Sequence, residues 1–274
     1  MKLKDSLKGI LQEDELNFLV RAYDVVGDIA IIIIPPELEK KERIIGDTIL
    51  KIHPNLKVVA KRHGNYGGEF RTIPLKIIAG ENRKETEYKE YGVRFFLNPE
   101  KVYFSVRSSN ERKRLASCVK PGEDVLIMFS GIGVFPLIIA KNSTGREIVG
   151  IEKNKVAHTY AMKSLQSNKK IKNVTLVEGD VIDILPNINR EFDRIAMPLP
   201  KTGEMYLELA LSYLKKGGWL HFYDFQKEDT FNNSIEKIRI VCKKMSRTLL
   251  QSKTVINGHC SPKTYRICID AKIA

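Results

Sequence analysis

The 274-residue chain has few cysteines, no long hydrophobic segment and no signal-peptide pattern. Cys118, Cys242, Cys260 and Cys268 form no CxxC pair and show no regular spacing, which argues against a zinc site and a disulfide framework. The longest unbroken apolar run, residues 29–34, is far too short to cross a bilayer. The N-terminus lacks the apolar centre and the small-residue cleavage site of a secretory signal. These absences predict a soluble protein of a reducing cytoplasm.

Basic residues clearly outnumber acidic ones. The chain has 46 Lys and Arg against 33 Asp and Glu, which gives a formal net charge of +13. Residues 1–110 contain 19 basic and 16 acidic residues, whereas residues 111–274 contain 27 and 17, so most of the excess lies in the C-terminal part. Such an excess favours a polyanionic partner, although a Lys-rich proteome would produce it as well.

Changes of pattern along the chain predict three segments. Residues 1–17 are polar with apolar residues at helical spacing, and form at best a short amphipathic helix. Residues 18–110 contain short apolar stretches separated by glycines, which predicts a small α+β domain that positions substrate. Residues 111–274 alternate buried strands with helices, which predicts a doubly wound parallel sheet. The order of these elements is that of the Rossmann-like class I methyltransferase fold.

Glycines and acidic residues stand at the predicted strand ends of the third segment, where doubly wound sheets bind ligands. The loop Phe129-Ser130-Gly131-Ile132-Gly133 follows the first strand, and its glycines allow a ligand to approach the backbone. Glu152, about twenty residues on, suits ribose hydroxyls. Asp180 suits an adenine amino group, with Val181 covering the ring. The spacing also suits a nicotinamide dinucleotide enzyme, but Phe135-Pro136 replaces the third glycine of GxGxxG.

The loop Met197–Lys201, MPLPK, follows the fourth predicted strand and is stiffened by its prolines. In this fold that loop faces the methyl donor and the target base. Together with the strand ends it predicts a site for S-adenosylmethionine, and no metal cluster is expected. The residues predicted to bind the cofactor are Arg107, Phe129, Ser130, Gly131, Ile132, Gly133, Glu152, Lys153, Asp180, Val181 and Pro198.

Over nearly its whole length the sequence resembles the archaeal and eukaryotic tRNA (guanine-N1)-methyltransferases, which act on guanosine 37 next to the anticodon. The resemblance lies in DVVGDIAIIIIP, EYGVRFFLNPEKVYFSVRSSNERKRLA, MFSGIGVF, MPLPK, GGWLHFYDF and SPKTYRICIDAKI. Residues 91–116, which resemble the family's SPR-x-x-x-ER segment, are its most specific part. The resemblance implies that Arg107 assists catalysis at the target base, and it aligns the ER pair with Glu111 and Arg112. It also implies a monomer that binds the anticodon stem-loop of tRNA and no membrane.

The sequence departs from the family at three points. Val106 replaces the proline of the SPR segment. Pro198 stands where the family's loop after the fourth strand has an asparagine, so the role of that asparagine is not carried over. Only about 23 residues precede the DVVGDIAI segment, and the small N-terminal domain of many archaeal relatives is therefore expected to be absent.

Methylation of guanine N1 requires a base for the N1 proton and positive charge near O6. Arg107 suits the second role as a permanent cation, although a surface arginine that grips phosphate has the same sequence signature. Glu111 and Asp224 are both candidates for the base, and the sequence does not choose between them. His221 fits a core histidine better. The predicted catalytic residues are Arg107, Glu111 and Pro198.

Three functions remain open at this point. The favoured one is an S-adenosylmethionine-dependent tRNA methyltransferase acting on N1 of guanosine 37 and also, because Pro198 relaxes the demands on a guanine edge, on the wyosine intermediate 4-demethylwyosine. The second is a tRNA aminocarboxypropyl transferase of wyosine synthesis, and the third is a noncatalytic RNA-binding protein. Basic residues predicted to contact tRNA phosphates are Lys163, Lys169, Lys170, Lys172, Lys237, Arg239, Lys243, Lys244 and Arg247.

Overall fold

The computed structural model describes residues 2–274, and the chain divides into two compact units. Unit 1 comprises the residues up to Lys89 together with Arg94–Val106. Unit 2 comprises Glu90–Val93 and Arg107–Ala274. The division predicted from the sequence, into residues 1–17, 18–110 and 111–274, stays a prediction. No helix in residues 2–274 is long and apolar enough to span a membrane.

Unit 1 is built on a four-stranded mixed sheet with helices packed on it. Its elements are α1 (Leu3–Leu7), α2 (Glu13–Phe18), β1 (Tyr23–Val26), β2 (Ile29–Ile32), α3 (Glu42–Ile52), β3 (Val58–Arg62) and β4 (Leu75–Gly80). The strand order is β1-β2-β3-β4, with β2 and β3 parallel and the other pairs antiparallel. Ile45 and Ile49 of α3 are fully buried, and Leu7 of α1 and Leu16 of α2 lie in the same core. A separate hairpin, β5 (Thr86–Glu90) and β6 (Val93–Leu97), follows β4.

Unit 2 contains a seven-stranded sheet. Its strands are β7 (Asp124–Met128), β8 (Glu147–Glu152), β9 (Val174–Glu178), β10 (Phe192–Met197), β11 (Leu214–Lys227), β12 (Leu249–Ser261) and β13 (Thr264–Ile273). Its helices are α4 (Ser109–Cys118), α5 (Val134–Asn142), α6 (Lys155–Ser167), α7 (Val181–Ile184), α8 (Leu207–Ser212) and α9 (Phe231–Lys244). The order is β12-β13-β11-β10-β7-β8-β9.

The sheet of unit 2 is mixed, whereas the sequence predicts a parallel one. Strands β7 to β11 run parallel, but β13 is inserted antiparallel between β11 and β12. Strand β12 was not predicted, because it is an edge strand whose side chains are mostly exposed and so carries no buried apolar pattern.

The close packing of α5 on the sheet positions the loop that follows β7. Gly150 in β8 makes this possible, since a Cβ there would lie 2.8 Å from Pro136 Cγ and 3.1 Å from Ser130 Cβ. Because the carboxyl ends of parallel strands meet at one edge of a sheet, the residues after β7, β8, β9 and β10 lie along the same edge.

Candidate cofactor and active site

The loop Phe129–Gly133 connects β7 to α5 at the carboxyl edge of the sheet. Phe129, Gly131 and Gly133 all have left-handed backbone conformations, with φ of 61°, 58° and 79°. A Cβ on Gly133 would lie 3.2 Å from Ala161 Cβ, so this glycine serves the packing of α6. A Cβ on Gly131 would meet nothing within 4 Å. Gly131 is therefore where a ligand can approach the loop backbone.

The other loop residues shape this turn from beneath. The side chains of Ser130 and Ile132 are buried, with 3% and 1% of their surface exposed. The Ser130 N–H donates to the Ile151 carbonyl at 2.8 Å, which ties the loop to β8. The Ser130 carbonyl in turn accepts from the Gly133 N–H at 3.0 Å. The sequence predicts both Ser130 and Ile132 in the cofactor site, and this stays a prediction.

Glu152 ends β8 directly beside the glycine loop. Its two carboxylate oxygens accept hydrogen bonds from the N–H groups of Gly131 and Asn154, each at 2.7 Å. Burial raises the pKa of Glu152, and the backbone N–H groups of Asn154, Gly131 and Lys153 oppose this shift. The carboxylate thus fixes the loop, and its remaining lone pairs can accept further hydrogen bonds.

Asp180 follows β9 and combines a helix cap with an ion pair. One oxygen accepts from the Ile182 N–H at 3.0 Å and so caps α7, and the other lies 3.1 Å from Lys153 Nζ. Burial acts to raise the pKa of Asp180, but the bonds from Ile182 and Lys153 outweigh it and the pKa is lowered. Asp180 therefore stays an ionised acceptor near neutral pH.

The apolar side chain at the surface of this strand end is that of Ile182. Val181, predicted to cover an adenine ring, has 2% of its surface exposed and packs in the core of unit 2. Ile182 is 55% exposed. The sequence did not show which of these two side chains is exposed, because that depends on how the helix that begins here is oriented on the sheet.

The loop after β10 borders the same space as the glycine loop. Pro198 is partly buried and has no N–H to donate. The Gly203 N–H donates to the Leu199 carbonyl at 3.0 Å, which closes the loop into a turn. Just beyond, the Tyr206 ring packs edge-on against Phe129 with centroids 4.9 Å apart. Tyr206 was not predicted, since only this tertiary contact reveals it.

Arg107 lies on the 3₁₀ turn Val106–Ser108 that leads into α4, and its side chain is exposed. The neighbouring Ser108 is buried, and its hydroxyl accepts a hydrogen bond from the Arg266 guanidinium of β13. The turn that carries Arg107 is thereby anchored to the sheet of unit 2.

Glu111 belongs to a buried network on α4. It accepts from the Tyr223 hydroxyl and from two nitrogens of Arg114, each at 2.7 Å. Arg114 also donates to Asp270 at 2.6 Å. Burial holds the pKa of Tyr223 well above its ordinary value, so Tyr223 stays a donor. Glu111 is thus held beneath the surface by three donated hydrogen bonds.

Asp224, the other candidate for the base, also has hydrogen-bond partners within the protein, and so does His221. Asp224 accepts from the Phe225 N–H at 2.8 Å and, through its other oxygen, from Ser234 at 2.8 Å and Lys237 at 2.9 Å. His221 contacts Arg194 through Nε2 at 2.7 Å and Asp270 through Nδ1 at 2.6 Å. Because arginine only donates, Nε2 accepts and the ring is neutral. Burial lowers the pKa of His221. The prediction of a satisfied core histidine is confirmed.

His221, Cys268 and Asp270 bring three potential metal-ligand atoms within 4.8 Å of one another. Arg194 donates to His221 and Arg114 donates to Asp270. Two guanidinium cations thus already neutralise this buried group, and a metal cation would be repelled.

Some predicted phosphate contacts have partners within the protein. Lys237 pairs with Asp224 and Glu204, and Lys244 pairs with Glu208. Arg247 donates to the carbonyls of Leu211, Leu214 and Lys215, and burial lowers its pKa. Arg247 therefore joins α8 to β11, which is a structural role.

Two family models match consecutive parts of the chain. Residues 86–250 match the TRM5/TYW2 methyltransferase domain, and residues 3–83 match the TYW2 N-terminal domain. Among curated relatives, tRNA (guanine(37)-N(1))-methyltransferase Trm5b of Pyrococcus abyssi is 36% identical over 94% of this chain and 76% of its own. The tRNA 4-demethylwyosine(37)-methyltransferase Taw21 of Saccharolobus solfataricus is 32% identical over 91% of this chain and 92% of its own. Taw22 of Nanoarchaeum equitans, a tRNA (guanine(37)-N(1))/4-demethylwyosine(37)-methyltransferase, is 30% identical over 91% and 98%.

Solved structures agree with these matches. Trm5b from Pyrococcus abyssi superposes with a TM-score of 0.86 at 34% identity, over 96% of this chain and 78% of that one. The complex of aTrm5 with tRNALeu gives 0.85 at 29% identity, over 99% and 78%. The class I methyltransferase fold with a smaller N-terminal part is confirmed, and so is the family that the sequence resembles. The chain belongs to the TRM5/TYW2 methyltransferase family.

Proposed function

We propose that the protein is an S-adenosylmethionine-dependent tRNA methyltransferase that modifies N1 of guanosine 37 and also 4-demethylwyosine at that position. The observation that carries the proposal is the alignment of three groups along one sheet edge. These groups are the open backbone of Gly131, the Glu152 carboxylate beside it and the ionised Asp180 at the next strand end. The Trm5b and Taw22 likenesses support the same activity.

The cofactor lies, in this proposal, along that edge. Glu152 accepts hydrogen bonds from the ribose hydroxyls, since its oxygens each retain a lone pair after binding the loop. Asp180 accepts from the adenine amino group, Lys153 keeps it ionised, and Ile182 covers the ring. When bound, S-adenosylmethionine supplies an electrophilic methyl group. The other predicted contacts, Arg107, Phe129, Ser130, Ile132, Gly133, Val181 and Pro198, stay part of the proposed site.

Arg107 and a carboxylate act on the target base. Arg107 is exposed on the 3₁₀ turn, whereas Glu111, four residues further along in α4, is buried. Arg107 stabilises the negative charge that gathers at O6, and Glu111 and Asp224 are the two candidates for the base that accepts the N1 proton. Tyr223 and Arg114 donate hydrogen bonds to Glu111, and Lys237 and three further donors hold Asp224. Pro198 walls the base without offering a polar group.

The substrate is tRNA, bound through its anticodon stem-loop to a monomer in the cytoplasm. Opposite charge explains part of this, because the net charge of +13 favours a polyanionic partner. Because Pro198 gives the wall no hydrogen-bonding side chain, the pocket tolerates both guanine and the larger tricyclic base. The likeness to Taw21 supports the second substrate.

Aminocarboxypropyl transfer from the same cofactor is the second candidate. It is favoured by the match of residues 3–83 to the TYW2 N-terminal domain. It differs from methylation in the carbon attached to the sulfonium that the substrate attacks, and so in the group that reaches the RNA.

The test supplies two preparations of the cofactor, one labelled in the methyl group and one in the aminocarboxypropyl group. Each is incubated with unmodified tRNA and with tRNA carrying 4-demethylwyosine, and the digested nucleosides are separated. The proposal expects only the methyl label, in both tRNAs. The aminocarboxypropyl label in the product would establish the second candidate. Methyl label in the unmodified tRNA alone would restrict the enzyme to guanosine.

A further inference from the structure

Unit 1 carries exposed aromatic side chains on the hairpin between β3 and β4. Tyr66 and Phe70 lie on this hairpin with 44% and 40% of their surface exposed. The Tyr66 ring meets the ring of Tyr103 edge to face, with centroids 6.0 Å apart. Nothing in the proposed cofactor site or its chemistry uses these rings.

Two arginines stack on the same rings. The guanidinium carbon of Arg62 lies 5.6 Å from the centroid of Tyr66, and that of Arg71 lies 4.7 Å from the centroid of Tyr103. Aromatic faces and planar guanidinium groups are the surfaces on which unpaired nucleobases stack in RNA-binding proteins. We name these five residues, Arg62, Tyr66, Phe70, Arg71 and Tyr103, the Tyr66 cluster.

The hairpin holds its side chains in an ordered arrangement. The Gly67 N–H donates to the Thr72 carbonyl at 3.0 Å, and the reverse bond measures 3.2 Å. Arg71 has a φ of 51°, a left-handed conformation that non-glycine residues rarely adopt and that recurs at binding sites. A surface ordered before binding loses less conformational entropy when its ligand arrives.

The charges around the cluster favour a base over a phosphate. Asp24 forms an ion pair with Arg62 at 3.0 Å, with both side chains about a quarter exposed or less. This carboxylate neutralises one of the two guanidinium groups and would repel a phosphate. The exposed aromatic surfaces of Tyr66 and Phe70 carry no charge and can stack on the π-face of any base.

We propose that the Tyr66 cluster binds an unpaired nucleobase of the RNA substrate by stacking. The identity of the RNA as tRNA rests on the proposed function. The unpaired bases of the proposed substrate lie in its loops, and the single-stranded anticodon loop is the one that the proposed function engages.

The test measures binding of the full-length protein to an anticodon stem-loop RNA with 2-aminopurine at unpaired positions of its loop. Tyr66→Ala is expected to raise the Kd about 5- to 100-fold, the range for loss of one base–aromatic stack. The fluorescence change of 2-aminopurine on binding should be lost as well. The dependence of Kd on salt should keep its slope, because no phosphate contact is removed. Phe70→Ala, at the exposed tip of the hairpin, should also weaken binding of the same RNA.

Two matched variants and one RNA control complete the design. Tyr66→Phe keeps the ring and should bind like the wild type. Phe18→Ala removes an aromatic of similar exposure, 48%, from α2 outside the cluster and should change nothing. A fully paired RNA duplex should bind all variants equally. The melting temperature of each variant is compared with that of the wild type.

Wild-type affinity of both Tyr66→Ala and Phe70→Ala for the stem-loop would overturn the proposal, and so would an equal loss for the duplex. Failure of the proposed function gives a different result. A wild-type protein that transfers no group to tRNA but still binds the stem-loop through Tyr66 would refute methyl transfer and leave the stacking surface standing.

Discussion

At the scale of single residues, Glu152 has two roles. It holds the glycine loop through Gly131 and, in the proposed function, binds the ribose. Asp180 likewise caps α7 and, in the proposed function, accepts a hydrogen bond from the adenine amino group. A carboxylate at a strand end would be an ordinary solvated group if it stood alone. What distinguishes these two is that each is held by backbone N–H groups at the sheet edge where the Gly131 backbone is open.

Removing either carboxylate should weaken binding of S-adenosylmethionine. Glu152→Ala and Asp180→Ala are each expected to cost about 1–3 kcal/mol, the scale of a hydrogen bond to a charged group. Isothermal titration calorimetry measures this loss. Asp183→Ala, which removes a carboxylate elsewhere in α7, serves as the control. Unchanged affinity in both test variants would remove the cofactor from this edge.

Glu152 also predicts a pH dependence of stability without cofactor. Its pKa is raised in the folded state, so folding favours the protonated form. The stabilisation is complete below the unfolded pKa of the carboxyl and is lost as the pH rises through the folded pKa. Glu152→Gln should therefore make the melting temperature fall less steeply as the pH rises through the range in which carboxyl groups titrate. A variant that kept the wild-type slope would show that another group causes it.

Arg107 should matter for the chemical step more than for docking. If it stabilises charge that develops only in the transition state, Arg107→Ala lowers kcat about 10²- to 10³-fold and changes the KM for tRNA little. Lysine should restore little activity, because the forked donor array is lost. Steady-state kinetics with tRNA separates the two parameters. A defect confined to KM would make Arg107 a phosphate contact.

At the scale of elements, β8 and α5 fit together through Gly150. An alanine there would place its Cβ 2.8 Å from Pro136 Cγ and 3.0 Å from Leu176 Cδ2, in a core that has no space to relax. Gly150→Ala should lower the free energy of unfolding by about 1–3 kcal/mol, as overpacking does elsewhere. Gly67→Ala, whose Cβ meets nothing closer than 4.0 Å, is the control. Chemical denaturation measures both, and equal stability would contradict the packing argument.

The element scale also shows what the sequence can and cannot predict. The strands β7, β8, β10 and β11 were predictable because they contain runs of buried residues and are followed by turns rich in glycine, proline or acidic residues. The exposed edge strand β12 has no such pattern. The candidate site residues at the strand ends were predictable because each follows a strand that the sequence reveals. Ile182, Tyr206 and Tyr223 were not, because tertiary packing alone brings them to the site or to its buried support.

At the scale of the whole molecule, the two units contribute different surfaces. Unit 2 holds the cofactor edge and the larger share of the positive charge, and unit 1 holds the Tyr66 cluster. Residue identity at the strand ends specifies the cofactor, and the family likeness specifies a tRNA. In the proposed function, activity on two bases follows from the absence of a polar side chain at Pro198.

The most direct test is the mass and position of the modification on a single defined tRNA. A transcript with guanosine 37 is incubated with the protein and S-adenosylmethionine, cleaved, and the fragment containing position 37 is sequenced by mass spectrometry. The account predicts one added methyl group on guanosine 37, identified as 1-methylguanosine, and none on a transcript with adenosine at that position. A methyl group elsewhere in the tRNA, or an unmodified fragment from a protein that binds both cofactor and tRNA, would contradict it.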